Sequence, residues 1–260
     1  MKLISSRDNP AVKALYRLAE QAGRRGQAVL LEGVHLCQAW LQRHGAPDQA
    51  VFDAARLERP ELAALAAQVP EARCLALESR LMRGLGSVEA DQGVAFVVQP
   101  PVAVLPARIE DNCVLIDRIQ DPGNVGTLLR TCAAAGVRSV YLAPGSASAW
   151  SPKVLRSGQG AHFALTLHEQ VDLHALIDRL AVPLAVTTLE DAQSLFGAPL
   201  PAALAWVFGH EGQGVDAALQ ARAQWRLHIP HDAQAVESLN VGAAAAVCLF
   251  EQRRQRMTAP

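Results

Sequence analysis

The chain has 260 residues, half of them hydrophobic and 19% charged, which suits one large folded domain or two smaller ones and argues against a disordered chain. The formal net charge is −1, so a polyanionic partner is not advertised by the molecule as a whole and must meet a local patch. Five scattered cysteines without a C-x-x-C pair suggest neither a disulfide framework nor a zinc site, and fit a reducing cytoplasm. The opening MKLISSRDNPAVK lacks the apolar core of a signal peptide, and no apolar run approaches the roughly 20 residues of a membrane span, so a soluble, cytoplasmic protein is expected.

The first predicted element is a helix opened by Asn9 and Pro10, with Val12, Leu15, Tyr16 and Ala19 as its buried stripe and Gly23 as its end. Lys13, Arg17, Arg24 and Arg25 lie along it or just after it. Up to Arg43 there are seven basic residues against three acidic ones, an excess that fits either a solvated helix face or contact with RNA. Strands are then predicted at 28–31, 50–52, 73–77 and 93–99, with helices at 34–42, 61–68 and 80–85 between them. Such alternation indicates a small α/β domain. Pro100-Pro101-Val102-Ala103-Val104-Leu105-Pro106 is a connector, which divides the chain into 1–99, a linker at 100–107 and a second domain at 108–256.

The second domain opens with the apolar run Cys113–Ile116, read as a buried strand. Asp121-Pro122-Gly123 breaks it, and Asn124 is the expected cap of a helix reaching about Ala135 and stopped by Gly136. Val125, Leu128, Leu129 and Cys132 recur at helical spacing and should face the core, leaving Thr127, Arg130 and Thr131 on another flank. A strand at 140–142, a helix from Ser151-Pro152 to Gly158, a helix at 173–180 and a strand at 184–187 follow. The strand at 205–208 leads into Gly209-His210-Glu211-Gly212-Gln213-Gly214, where glycines allow close backbone approach to a ligand. This spacing is not G-x-G-x-x-G and does not support a dinucleotide site. The last strand, 227–229, ends at Pro230, and a helix is expected from Ser238, its run Gly242–Ala246 small enough for very close packing.

Three stretches, Asp121-Pro122-x-Asn124-x-Gly126 with Arg130-Thr131, Gly209-x-Glu211-Gly212, and Ile229-Pro230 followed by Glu237-Ser238-Leu239-Asn240, occur in this order and at these distances. Together they resemble the SpoU (TrmH-type) family of RNA ribose 2′-O-methyltransferases, within the SPOUT superfamily of knotted methyltransferases, over roughly Asn112 to Glu251. The resemblance implies an α/β fold with a parallel sheet and a C-terminal trefoil knot, a homodimer, and S-adenosylmethionine as cofactor without a metal. Thr187, Thr188, Leu189, Gly209, His210, Glu211, Gly212, Ile229, Ser238, Leu239 and Asn240 are the implied cofactor contacts. Arg130, Asn124, Ser238 and Asn240 are the implied catalytic set. Lys13, Arg17, Arg24, Arg25, Lys153, Arg156 and Ser157 are candidates for RNA contact. Glu32-Gly33 resembles the start of the substrate-binding domain of many such enzymes, a small α/β module similar to RNA-binding ribosomal proteins.

Arg130 corresponds to the residue invoked as general base in the family, yet guanidinium groups stay charged in proteins. Two roles are open for it: a base tuned by its surroundings, or a cation that orients the hydroxyl. The departures are His231 where Met is usual, His210 where a small polar residue is usual, and Val241-Gly242 in place of Val-Ser. Ribosomal RNA is the favoured substrate because of the whole N-terminal domain. Transfer RNA, a base nitrogen, and a catalytically silent RNA-binding member of the fold are the alternatives.

Overall fold

The computed structural model of the chain describes residues 1–21, 23, 26–85 and 92–258. In chain order the elements begin β1 (Lys2–Ile4), α1 (Pro10–Glu20), β2 (Val29–Glu32), α2 (Val34–His44), β3 (Gln49–Asp53), α3 (Pro60–Ala67) and β4 (Cys74–Leu77). Next come α4 (Ser79–Arg83), β5 (Val94–Val98), β6 (Cys113–Asp117), α5 (Pro122–Ala135), β7 (Ser139–Leu142), α6 (Pro152–Gly158) and β8 (Thr166–Glu169). The chain closes with α7 (Leu173–Leu176), β9 (Leu184–Thr187), β10 (Gln193–Ser194), β11 (Ala205–Gly209), α8 (Ala217–Ala221), β12 (Trp225–His228) and α9 (Val241–Thr258).

The chain divides into two compact units. The first contains Met1–Pro101 together with Trp150–Phe163. Its sheet has the order β1-β4-β3-β5-β2, parallel across β1, β4 and β3 and antiparallel at β5. The composition points to one boundary at the proline-rich stretch, but the segment carrying α6 returns to this unit. The physical reason is aromatic burial: the Phe163 ring lies edge-on to Trp40 at 5.5 Å and to His44 at 5.9 Å. In α1, Val12 and Leu15 are buried as expected. Tyr16 is only half-buried, with the Arg7 guanidinium 5.3 Å from its ring centre and its hydroxyl donating to the Leu81 carbonyl at 3.0 Å. The helix ends at Glu20 rather than Gly23.

The second unit contains Val102–Ala149 and Ala164–Pro260. Its sheet is parallel throughout, in the order β10-β12-β9-β11-β6-β7-β8. Every residue of β6 and of β11 is buried, as parallel strands covered on both faces require. Along β6, Cys113 and Leu115 join a core with Tyr141, Leu176, Val186 and Val207. On α5, Val125, Leu128, Leu129 and Cys132 are fully buried. Helix α9 packs along α5. A Cβ at Gly242 would sit 3.1 Å from Thr127 Cγ2, so the small residues of α9 serve the approach of these two helices. The five cysteines are buried and free, and burial pushes the Cys113 and Cys248 thiols up to about 12. Among the described residues no helix is long and apolar enough to cross a membrane.

Two expected caps move. The N-cap of α5 is Asp121, not Asn124: its carboxylate accepts the Asn124 backbone N–H at 2.9 Å, and Pro122 occupies the first turn, where a missing N–H costs nothing. Helix α9 starts at Val241 rather than Ser238, because the Asn240 side-chain oxygen accepts from the N–H groups of Gly242 (2.9 Å) and Ala243 (3.2 Å). The two-residue strand β10 and the strands β1 and β8 have no counterpart in the sequence reading.

Buried Gln252 ties α9 to the sheet. Its oxygen accepts from Trp206 Nε1 at 2.9 Å, and its amide donates to Asn112 Oδ1 at 2.9 Å and the Pro201 carbonyl at 3.0 Å. Gln252→Ala orphans these groups and leaves a void, so it should cost about 2–4 kcal/mol in urea unfolding. A loss below about 0.5 kcal/mol would contradict this role.

Candidate functional site

Because β6, β9, β11 and β12 run parallel, the loops that follow them leave the sheet on one side. Strand β11 comes late in the chain yet inserts between β6 and β9, with Gly209 in register with Asp117. Such a reversal of strand order opens a crevice at the carboxyl ends, where open α/β sheets bind ligands. Gly209 is required by close approach: a Cβ there would lie 2.3 Å from the Gly214 carbonyl carbon.

Three segments meet in one hydrogen-bonded relay. The Glu211 carboxylate accepts from the Gln120 N–H (3.3 Å), the Asp121 N–H (3.2 Å) and Asn124 Nδ2 (3.0 Å). A carboxylate can only accept, so Asn124 must turn its nitrogen toward Glu211 and its oxygen away. That oxygen accepts from Asn240 Nδ2 at 2.9 Å, and the Asn240 oxygen caps α9. Desolvation raises the Glu211 pKa, but the Asn124 amide and the backbone N–H groups outweigh it and hold the carboxyl below its usual range.

A clamp at the base of the same loop escaped the sequence reading. Buried Asp117 accepts from Arg118 Nε (2.8 Å) and Nη2 (3.0 Å) and from the Asp216 N–H (2.8 Å). Arg118 Nη1 donates to Gln213 Oε1 at 3.3 Å. Arg118 has φ of 59°, a left-handed conformation that these bonds hold in place. The charged pair at the end of an apolar strand was its only signal in the sequence.

Beside the relay, Thr187, Thr188 and Leu189 after β9 and Ile229, His231, Ser238 and Leu239 after β12 line a cavity of about 140 Å³, floored by Leu227 and Ala244. Six residues expected to hold the cofactor therefore come together: Thr187, Thr188, Leu189, Ile229, Ser238 and Leu239. Gly209, His210, Glu211, Gly212 and Asn240 do not line this cavity and belong to the relay and its turn. His231 is in the cavity wall, where Nδ1 lies 2.8 Å from the Ile229 carbonyl and Nε2 3.4 Å from the Glu237 carbonyl. His228 also lines the cavity, and nothing in the sequence singled it out.

Arg130 lies on the exposed flank of α5 with no hydrogen bond or ion pair among the described residues. Lys13 is exposed and paired with Asp8 at 2.8 Å, and Arg17 is exposed on the same helix. Arg24 and Arg25 lie outside the described residues. Lys153, Arg156 and Ser157 are on α6 of the first unit, where the Ser157 hydroxyl donates back to the Lys153 carbonyl at 2.9 Å.

The second unit is an open parallel α/β domain whose candidate site is assembled by loops at the carboxyl ends of four strands. The SpoU rRNA Methylase family matches residues 111–250, and the chain belongs to that family. The 23S rRNA (guanosine(2553)-2'-O)-methyltransferase RlmP of Bacillus subtilis is 33% identical over 258 residues, covering 97% of this chain and 100% of the relative. A crystal structure of an RNA 2'-O ribose methyltransferase matches with a TM-score of 0.82 and 27% identity, covering 98% of this chain and 99% of that one. The fold is shared as well with the SpoU methyltransferase AviRb of Streptomyces viridochromogenes, solved in complex with AdoMet, at a TM-score of 0.83 and 24% identity over 97% of this chain and 100% of that one.

The Glu211 pKa is depressed by folding, so its contribution to stability is present above the unfolded-state pKa and is lost as pH falls through the folded-state value. Glu211→Gln should lower the melting temperature most near neutral pH, and the gap to the natural protein should close in acid. Thermal melts of both proteins from about pH 7 to about pH 3 test this, and a gap independent of pH would contradict it.

Proposed function

We propose that the protein transfers the methyl group of S-adenosylmethionine to a ribose 2′-hydroxyl of structured RNA, with ribosomal RNA as substrate. The observation that carries this reading is the convergence of three distant motif segments at Glu211, Asn124 and Asn240 beside the cavity of Thr187, Ile229 and Ser238. The family and the ribosomal RNA substrate in the name of the Bacillus subtilis relative support the RNA class.

The cavity residues fit the cofactor: aliphatic side chains for an adenosine face, with the Thr188 and Ser238 hydroxyls and strand-end backbone groups for its polar edges. When bound, the cofactor supplies the electrophilic methyl group. The protein then has to orient the ribose and manage one proton. Asn124 and Asn240 hold the end of α5 and the start of α9 together. We assign Arg130 the role of an orienting cation: its unpaired guanidinium donates to the 2′-oxygen and stabilises negative charge there, while the proton leaves to water or a phosphate oxygen. A base role would require a group that stays charged to give up its proton.

On the same reading the chain at 229–240 is threaded through a trefoil knot, and the late insertion of β11 followed by β12 is a strand order compatible with such threading. Residues 1–99 form a small RNA-binding module like those of ribosomal proteins, joined through 100–107 to the methyltransferase domain at 108–256, with the segment Trp150–Phe163 inside that range belonging to the first unit. Lys13, Arg17, Arg24, Arg25, Lys153, Arg156 and Ser157 contact RNA phosphates. The enzyme works in the cytoplasm as a homodimer and without metal.

Arg130→Ala should reduce methyl transfer by about 10²-fold or more and leave the affinity for S-adenosylhomocysteine, measured by calorimetry, within a few fold. Unchanged turnover, or wholesale loss of cofactor binding, would contradict the assignment. Replacing both Lys13 and Arg17 by Ala should weaken RNA binding and flatten the dependence of log K on log salt by about 0.7–0.9 per lost phosphate contact. An unaltered slope would move the RNA site elsewhere.

A further inference from the structure

The turn that presents Glu211 is closed by the side chain of His210, which stands outside the cavity wall. His210 Nδ1 lies 3.0 Å from the Gly212 N–H and 3.2 Å from the Gln213 N–H. The His210 carbonyl also accepts from the Gly214 N–H at 2.8 Å, which folds the segment back on itself. A backbone N–H can only donate, so Nδ1 must offer its lone pair and the ring proton sits on Nε2. An imidazolium carries a proton on both nitrogens and cannot accept either bond. The closed turn and a protonated ring are therefore mutually exclusive.

We propose that His210 is a positioning residue for the transfer reaction: as a neutral Nε2–H imidazole it pins the Gly209–Gly214 turn and so presents Glu211 to Asn124. This rests on the function proposed above. The chain of contacts runs from His210 to the turn, from Glu211 to Asn124, and from Asn124 to Asn240. The ring has no bond at Nε2 among the described residues, so Nδ1 is its only observed engagement. The charged groups on the segments around the turn are Glu211 within it, Asp117 at the end of β6, Arg118 and Asp121 after it, and Asp216 before α8. Asp117 pairs with Arg118, Asp216 faces His174 at 3.6 Å, and Glu211 holds Asn124. Among the described residues none pairs with the His210 ring. With Nδ1 occupied by two donors, His210 in this arrangement cannot take the proton of the 2′-hydroxyl at that nitrogen.

Two conservative substitutions separate the functions of the ring. Asparagine places an oxygen within reach of the same two backbone N–H groups, as in an Asx turn, but has no group at the Nε2 position. Glutamine offers an outward amide near the Nε2 position and does not reproduce the short acceptor. The test is amide hydrogen exchange at Gly212 and Gln213 in the full chain, together with kcat and KM for methyl transfer to RNA, for His210→Ala, His210→Asn and His210→Gln. Exchange should quicken by about tenfold in the Ala and Gln variants and stay within about twofold of the natural protein in His210→Asn. The kcat should follow the same pattern with KM for RNA unchanged. Rescue by Gln but not Asn would overturn the proposal and make the ring an outward contact to RNA. Exchange unchanged in all three variants would also overturn it. If no RNA is methylated by the natural protein, the proposed function fails, while the exchange data still decide whether His210 pins the turn.

Discussion

The carboxylate of Glu211 is the constraint on which the rest of the site depends. It gathers two backbone N–H groups after β6 and the side chain of Asn124, and through Asn124 it reaches Asn240 at the head of α9. These groups come from three stretches of chain separated by roughly 90, 30 and 120 residues, and only the folded sheet brings them together. Each amide atom in the relay has a defined partner, which fixes the orientation of both asparagines. A network of this kind is worth most when complete, since a single missing member leaves its neighbours unsatisfied.

The sheet makes the relay possible through register. Gly209 opposite Asp117 starts two loops at the same level, and the Asp117–Arg118 clamp holds the far end of the Glu211 turn to the end of β6. The cavity is a consequence of the neighbouring pair, β9 and β12, where Leu227 faces Thr187 and the loops beyond them supply the hydroxyl and aliphatic walls. Relay and cavity are thus separate devices mounted on adjacent strands. One organises the chain ends around Asn124, and the other offers volume for a ligand.

The three motif segments, the strands that end in them and the inward stripe of α5 were legible in the sequence, because apolar runs and helical spacing are local signals. The caps were less so. Asp121 and Asn124 are both good capping residues, and the choice between them is decided by Glu211, 87 positions distant in the chain, which engages the Asn124 side chain. Asn240 captured the start of α9 by the same kind of competition for backbone N–H groups. β10 and β1, of two and three residues, carry too short a pattern to read, and β8, with the sequence TLHE, has no apolar run. Tyr16 was read into the core from its spacing, yet its ring is shared between packing and Arg7, a partner that precedes the helix. The Arg118 clamp and the Nδ1 bonds of His210 depend on the tertiary position of the Gly209–Gly214 turn and leave no pattern in the sequence.

On the proposed function, this site methylates a ribose oxygen of RNA. The most direct test is nucleoside mass spectrometry and 2′-O-methyl mapping of ribosomal and transfer RNA from a strain lacking the protein and from its parent. A 2′-O-methylated nucleoside should be lost at a single position of ribosomal RNA in the strain lacking the protein and restored by the natural protein. Loss of a base-methylated nucleoside instead, or methylation identical in the two strains, would contradict it.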